Sequence, residues 1–490
     1  MPSISEHYDV VIIGAGLGGL ECGYILTKKG YDVCILERHH KPGGCLQSYR
    51  RGGRLFDTGF HYVGGLDKGQ PLHTLFDYFG LMNLDWHRLD TNGFDEVILS
   101  DKSYLFHNGY DEFAQQLSES FPHQKENLKR YVSLLKKVGD GILDGFRPKE
   151  SEELTRESLF SRSAWNFLEE TVSDPTLRNV LSGTSLKMDL AKDSLPLYIF
   201  AQINSSFIRS AWRLKGGGDT IASSLTESIQ KMGGTVICNA EVVELIESKG
   251  LIIEAALKGG ERIAADRFIS DIHPATTISL LKNSQNIRAI YRKRMSALHN
   301  TTGTFTVSIS LLPGKRQYLN RNQFIYDCRD VWEPSTDGII DRAMVSWMIP
   351  EHGDTAECVD LLTPLPWKEV ERWSGTKPMK RGEEYEEYKS RKAEELIGFV
   401  SRHGILSPDD IQSVHTSTPL SWENYTASPE GASYGIVKDW KDPLRTILTP
   451  KTPVPNLFLT GQNLNLHGIL GVSMTSFITC STLTGERIFL

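Results

Sequence analysis

The sequence predicts a mixed fold, α/β combined with α+β, in which a domain with a parallel sheet is interrupted by a second domain. Val10 to Ile13 form an uninterrupted apolar run that breaks at once into glycines, as a parallel strand buried on both faces does. A second strand followed by a glycine turn lies near the C-terminus, at Leu457 to Gly461. Between these ends, apolar residues at helical spacing give way to short alternating runs, which favour helices and an antiparallel sheet.

The first motif is a glycine turn after the N-terminal strand. Gly14, Gly16 and Gly19 give the pattern G-x-G-x-x-G, with Gly18 in the same turn. The first glycine permits a tight turn, the second lets the backbone approach a diphosphate, and the third lets the following helix pack on the strand. Glu37 closes the second strand, roughly 20 residues further on, and suits the ribose hydroxyls. These features together predict a Rossmann-like, dinucleotide-binding domain.

A glycine doublet just downstream decides which dinucleotide is expected. Gly43 and Gly44 follow Arg38 in Arg-His-His-Lys-Pro-Gly-Gly. The doublet is not part of the nicotinamide fingerprint, and it resembles the second motif of the flavoproteins of the glutathione-reductase and amine-oxidase type. That resemblance implies FAD, with Arg38, Gly43 and Gly44 beside the cofactor. The alternative is a Pro-Gly-Gly turn without a ligand.

A more specific resemblance follows at Phe56-Asp-Thr-Gly-Phe-His-Tyr-Val-Gly64. This segment resembles retinol saturases and, more loosely, carotenoid isomerases and phytoene desaturases. His61 favours the saturase branch, because phytoene desaturases usually lack a histidine there. Gly59 and Gly64 would let the backbone run close to a flavin ring.

Helices are expected from about residue 72 to residue 211. Tyr110 to Phe121, Gln124 to Leu143 and Ser163 to Val172 carry apolar residues three and four positions apart. The aromatic residues that follow could wall an apolar tunnel, and so could an aromatic residue on a later strand. They are Tyr198, Phe200, Phe207 and Trp347. Core packing is the alternative reading of each.

The remaining chain returns to the first domain twice. Residues 212–286 resemble the second piece of an FAD domain, with a Lys-Gly-Gly turn, a helix and strands that include Val242. Residues 287–449 read as an antiparallel sheet with a charged helix at Glu383 to Val400. The closing motif carries the other residues expected at the flavin: Gly461, Gln462, Gly471, Val472 and Ser473. Many relatives have an acidic residue where this chain has Gln462.

These pieces predict a discontinuous domain arrangement. Residues 1–71, 212–286 and 450–490 would form the FAD-binding domain. Residues 72–211 and 287–449 would form the inserted substrate domain. Each of these three pieces carries flavin-domain signals, and none of the pieces can complete a sheet alone.

Composition narrows the function classes. A formal net charge of −7 and the lack of a basic cluster argue against nucleic acid as a partner. The seven cysteines show no C-x-x-C and no ligand spacing with histidine, so no metal site is expected. A polar N-terminus and the absence of a long apolar stretch favour a cytoplasmic protein. Peripheral contact with the inner face of a membrane stays open.

The chemistry implied by the resemblance is reduction of a carbon–carbon double bond in a hydrophobic substrate, with an external electron donor or acceptor. FAD supplies the hydride, so few polar catalytic residues are expected. His61 and Tyr62 are the acids expected by position, with His467 a weaker third. A carotenoid cis–trans isomerase or a phytoene-desaturase-type dehydrogenase is the second reading, and a flavin-binding or lipid-binding protein without turnover is the third.

Overall fold

The computed structural model describes residues 7–143, 156–335 and 338–488. The strands are β1 (His7–Ile13), β2 (Val33–Leu36), β3 (Ser48–Arg51), β4 (Arg54–Asp57), β5 (Val63–Gly64), β6 (Trp86–Arg88), β7 (Asp95–Leu99), β8 (Lys102–Phe106), β9 (Ala211–Leu214), β10 (Thr235–Ile237), β11 (Val242–Ser248), β12 (Leu251–Leu257), β13 (Arg262–Ser270), β14 (Gly303–Leu311), β15 (Asn322–Tyr326), β16 (Arg342–Trp347), β17 (Cys358–Leu365), β18 (Ile411–Ser417) and β19 (Leu457–Leu459). The helices are α1 (Leu17–Lys28), α2 (Pro71–Tyr78), α3 (Tyr110–Ser120), α4 (Lys125–Asp140), α5 (Arg156–Phe160), α6 (Ala164–Thr171), α7 (Pro175–Ser182), α8 (Leu197–Arg209), α9 (Asp219–Lys231), α10 (Pro274–Ser279), α11 (Ala289–Ser296), α12 (Glu383–Arg402), α13 (Pro419–Thr426), α14 (Pro443–Thr446) and α15 (Gly468–Thr484).

The first sheet is the Rossmann-like one. Its strand order is β10, β2, β1, β13, β12, β11, and β19 also pairs with β13. The strands β10, β2, β1, β13 and β19 run parallel, while β11 and β12 complete one edge antiparallel. The sheet therefore draws its strands from three separate stretches of the chain, and the predicted parallel α/β fold is confirmed.

Both faces of this sheet are covered, which explains the continuous apolar run in β1. Val10 and Ile12 lie in a core that α1, α9 and α15 share. Val11 and Ile13 point to the opposite face, where residues of α10 and α11 pack. Because successive side chains of a strand alternate between faces, a strand covered twice must be apolar throughout.

The second sheet has the order β18, β14, β17, β16, β15, β7, β8. Its pairings are antiparallel except for β15 with β7. One face carries Val345 and Trp347 into a core with α12. The other carries Met344 and Leu362 towards helices such as α8. This face closes over the site described below.

The prediction of helices alone between residues 72 and 211 is wrong in one respect. The structure places β6, β7 and β8 in that stretch. Strand β7 pairs with β15, where Asp95 lies opposite Asn322. Strands β6 and β7 pair with distant strands and leave little local signal, because packing against distant neighbours decides their conformation. Strand β8 pairs with β7 across a short turn. Among the described residues, no helix combines the length and the apolar character needed to cross a membrane.

Candidate active site

One cavity, of about 430 Å³, connects the first sheet to the second. It begins beside Ile13, Leu36 and Ile272, at the carboxyl ends of β1, β2 and β13. It continues to Met344 and Leu362 on the second sheet. Ligands of open α/β sheets bind at the carboxyl ends of parallel strands, so this position fits a cofactor site.

The glycine turn forms the wall at this end of the cavity. Gly14 has a φ of +96°, a left-handed conformation that favours glycine. A Cβ on Gly16 would lie 2.5 Å from the Asp271 carboxyl, and one on Gly18 would lie 3.0 Å from the Gly461 backbone. Both glycines line the cavity. Gly19 is absent from this lining. A Cβ on Gly19 would lie 2.1 Å from the carbonyl oxygen of Gly14, which fits helix-to-strand packing.

Asp271 is a residue that sequence reasoning missed. It follows β13 directly, and its carboxyl accepts hydrogen bonds from the N–H groups of Gly16 and Gly19. A helix N-terminus favours an anionic oxygen at this place. Burial raises the pKa of Asp271 to about 7. The cradle thus already holds a carboxyl oxygen, so its donors suit an acidic group. The sequence feature that could have identified Asp271 is a carboxylate at the end of a parallel strand.

Glu37 and Arg38 line the same part of the cavity. The Glu37 carboxylate accepts from the N–H of Ala15 at 2.9 Å and from the N–H of His39 at 2.8 Å. These two bonds fix the carboxylate and leave lone pairs for further donors such as ribose hydroxyls. The Arg38 guanidinium donates to backbone carbonyls of α13.

The other residues expected at the flavin divide into two groups. Those that line the cavity are Gly43, Gly44, Val242, Gly461, Gln462, Gly471 and Val472. Ser473 does not line it. Its hydroxyl donates to the Glu21 carboxyl at 2.6 Å, and Ser476 donates to the other oxygen at 3.0 Å. The Ser473 side chain therefore joins α15 to α1.

His61 lines the cavity, and its Nδ1 lies 3.9 Å from Oδ2 of Asp360. Burial, together with the nearby Arg213, lowers the pKa of His61 to about 4. Burial therefore disfavours the imidazolium that an acid role for His61 would need, because desolvation penalises the charged form. Its participation in catalysis stays a prediction.

Tyr62 also lines the cavity and takes part in a buried cluster. Its hydroxyl donates to Oδ2 of Asp95 at 2.9 Å, and the Lys187 ammonium donates to the same oxygen at 2.8 Å. Asn322 donates to Oδ1 at 3.0 Å. Burial and Asp95 raise the pKa of Tyr62 well above its usual value. Asp95 and Lys187 belong to no sequence motif, so only the fold reveals them.

His467 lies near this cluster and lines the cavity. Its Nε2 is 3.0 Å from the carbonyl oxygen of Lys187. Burial lowers the pKa of His467 to about 4. A neutral ring bound to a backbone carbonyl fits a structural role.

Of the four aromatic residues expected around the substrate, Phe207 lines the cavity. The other three are absent from its lining and fill cores instead. Tyr198 packs on Phe160 with ring centres 4.6 Å apart, and Phe200 packs on Trp332 at 5.9 Å. Trp347 faces α12, because odd-numbered residues of β16 point away from the cavity.

Comparisons with known proteins agree with this architecture. Residues 12–79 match a family model described as an NAD(P)-binding Rossmann-like domain. The all-trans-retinol 13,14-reductase of Danio rerio is 28% identical, over 99% of this chain and 87% of its own length. A chloroplastic prolycopene isomerase of Daucus carota is 24% identical, over 88% of this chain and 72% of its own length. The resemblance predicted from the sequence is confirmed.

A solved structure extends the likeness of fold. A triple mutant of putrescine oxidase superposes with a TM-score of 0.66, covering 98% of this chain and 99% of its own at 16% identity. At that identity the likeness concerns the fold, which is the predicted amine-oxidase type. The Rossmann-like match and the cradle together indicate a flavin or nucleotide cofactor.

Proposed function

We propose that this chain is an FAD-dependent oxidoreductase that reduces a carbon–carbon double bond of a hydrophobic polyene or lipid. One observation carries the proposal: the cavity that starts at the dinucleotide cradle continues without a break into a chamber walled by Phe207, Met344 and Leu362. A cofactor and an apolar substrate would therefore share one continuous space. The likeness to a retinol reductase over nearly the whole chain agrees with such a substrate.

The residues at the first sheet would hold FAD. Gly14, Gly16, Gly18 and the N-terminus of α1 would receive the diphosphate, and Glu37 would accept from the adenosine ribose. Arg38, Gly43, Gly44 and Val242 would border the adenosine and the ribityl chain. The closing motif would border the ring: Gly461, Gln462, Gly471 and Val472, with Ser473 holding α15 in place. When bound, FAD supplies hydride or single-electron chemistry.

The residues of the second sheet and of α8 would form the substrate side. Phe207, Met344 and Leu362 would exclude water and contact an apolar chain. His61 and Tyr62, the acids expected from the sequence, line the cavity and would position the groups around the substrate. His61 is neutral at pH 7, and its ring faces the Asp360 carboxyl across 3.9 Å.

A carotenoid isomerase is the second candidate function, because the prolycopene isomerase match also spans most of this chain. The two functions differ in whether electrons are consumed. Purified protein loaded with FAD would be reduced anaerobically with dithionite, standing in for the unidentified donor, and mixed with all-trans-retinol or a cis-lycopene. Saturation shortens the chromophore, adds two hydrogens to the product and reoxidises the flavin. Isomerisation leaves the mass of the polyene unchanged and leaves the flavin reduced.

We expect the saturation result with a retinoid or a related polyene. A product of unchanged mass with the flavin still reduced would replace reduction by isomerisation. Binding of the polyene without any product, in protein whose flavin reduces normally, would favour a protein that binds without turnover.

A further inference from the structure

A buried ion pair lies at the inner end of the cavity, outside every motif that the sequence shows. The Lys187 ammonium contacts Oδ2 of Asp95 at 2.8 Å, and the two side chains are 6% and 0% exposed. Tyr62 and Asn322 also donate to this carboxylate. Three donors from three parts of the chain therefore satisfy both oxygens of the Asp95 carboxylate.

The Lys187 ammonium has more N–H groups than carboxylate acceptors. It carries three N–H groups, and Asp95 is its one carboxylate partner among the described residues. Its nitrogen lies 4.0 Å from the ring centre of Phe207 and 5.2 Å from that of Tyr62. Aromatic faces stabilise a cation. Lys187 and Phe207 both line the cavity, so this protonated group borders the chamber.

Reduction of an alkene needs a proton as well as a hydride, and the histidines at the cavity are poor sources. The histidines that line the cavity are His61, His273 and His467, and burial lowers the pKa of each to about 4, so none is an imidazolium at neutral pH. The hydroxyl of Tyr62 is bound to Asp95. Arg213, beside this cluster, donates to Asn322 and to Tyr318, and a guanidinium does not give up its proton in proteins.

We propose that Lys187 is the general acid of the alkene reduction, a role that rests on the proposed function. One alkene carbon would gain a hydride, with its two electrons, taken from reduced FAD. The π-electron pair would form a bond from the neighbouring carbon to a hydrogen of Lys187 as that Nζ–H bond breaks. Lys187 is left as a neutral amine and regains a proton from water. The FAD, oxidised by two electrons, is reduced again by the external donor. Asp95 and Tyr62 are positioning residues.

Burial lowers the pKa of Lys187 against the opposing effect of Asp95, which brings the ammonium closer to the acidity that efficient proton transfer needs. The rate of alkene reduction should therefore fall as pH rises through the pKa of Lys187, because the proton to be donated is lost.

Two substitutions separate an acid from a fixed charge. Lys187→Met removes the proton, while Lys187→Arg keeps the charge in a group that does not release its proton. Pre-reduced, FAD-loaded proteins would be mixed anaerobically with the polyene in single turnovers. The matched control is Lys192→Met, whose ammonium pairs with Asp330 and Glu333 outside the cavity lining. Because Lys187→Met leaves Asp95 unpaired, the double variant Lys187→Met/Asp95→Asn is made beside it.

We expect both Met and Arg variants to bind FAD and to be reduced by dithionite like the wild type, yet to reduce the polyene roughly 10²–10⁴ times more slowly. The wild-type fall in rate at high pH should vanish in the Met variant. A wild-type rate in Lys187→Met, or full recovery in Lys187→Arg, would overturn the acid role. Loss of FAD from both Lys187→Arg and the double variant would also overturn the acid role, because it would show that Lys187 is needed for the structure of the FAD site. If wild-type protein itself fails to reduce any polyene, the proposed function fails instead.

Discussion

At the scale of single residues, Gly16 gives the most direct test of whether the cradle at the first sheet binds a diphosphate. Gly16→Val should abolish FAD retention while the protein folds, because a branched side chain would fill the space beside the N-terminus of α1. Gly375→Val is a matched control, since a Cβ on Gly375 would meet nothing within 4 Å. Flavin absorbance per chain measures the outcome. Full occupancy in folded Gly16→Val protein would refute the assignment.

Asp271 gives FAD binding a predicted pH dependence. Its carboxyl uses the donors that the diphosphate would use, and burial raises its pKa to about 7. As pH rises through that value, the carboxyl becomes anionic and opposes the diphosphate, so FAD affinity should fall. If only the protonated form binds, the loss approaches about tenfold per pH unit above the pKa. Asp271→Asn should remove this dependence, as titrations between pH 6 and pH 9 would reveal. A parallel slope in both proteins would show that Asp271 is not the competing group.

Among the elements, α1 and α15 are joined through a buried carboxyl. Glu21 on α1 accepts from Ser473 and Ser476 on α15, and burial raises its pKa to about 8. The folded protein therefore keeps a proton that the unfolded chain loses near pH 4.5. Between these values the free energy of unfolding should fall with rising pH, by at most about 1.4 kcal/mol per unit.

Glu21→Gln isolates this contribution, because an amide is neutral at every pH and retains an acceptor for the serine hydroxyls. The free energy of unfolding of the variant, minus that of the wild type, should grow from pH 5 to pH 8. Urea denaturation at several pH values measures it. A difference that does not vary with pH would mean that Glu21 is ionised in the folded protein.

Elements with a local signal were predictable, and those defined by distant partners were not. The apolar run of β1 and the glycines after it predicted a parallel strand that is buried on both faces. β16 was found as a strand, yet its alternation left two ways of placing Trp347, towards the substrate or towards α12. The helices that pack on the two faces of the sheet decide which face of β16 meets the cavity. The period of a strand fixes which residues share a face, but not which face is inside.

At the scale of the whole molecule, the glycine cradle at the first sheet was predictable, and the ion pair of Asp95 and Lys187 was not. Gly14, Gly16, Glu37 and Gly461 belong to motifs whose spacing carries the chemistry. Asp95 and Lys187, which contact Tyr62, have no spacing to recognise, because β7 meets β15 and the segment before α8 only in the folded protein. The low pKa of His61 likewise follows from burial, which the sequence does not state.

The cavity is built from distant parts of the chain, so FAD should stabilise them together. Its lining includes the turn after β1, the residues around Val242 and Asp271, the segment around Tyr434, and the start of α15. Hydrogen–deuterium exchange with and without FAD should show slower exchange in peptides from all four regions, because one ligand that bridges them suppresses their separate opening. Peptides from α12, which does not line the cavity, serve as the internal control. Slower exchange confined to the N-terminal turn would mean that the cofactor rests on the first motif alone.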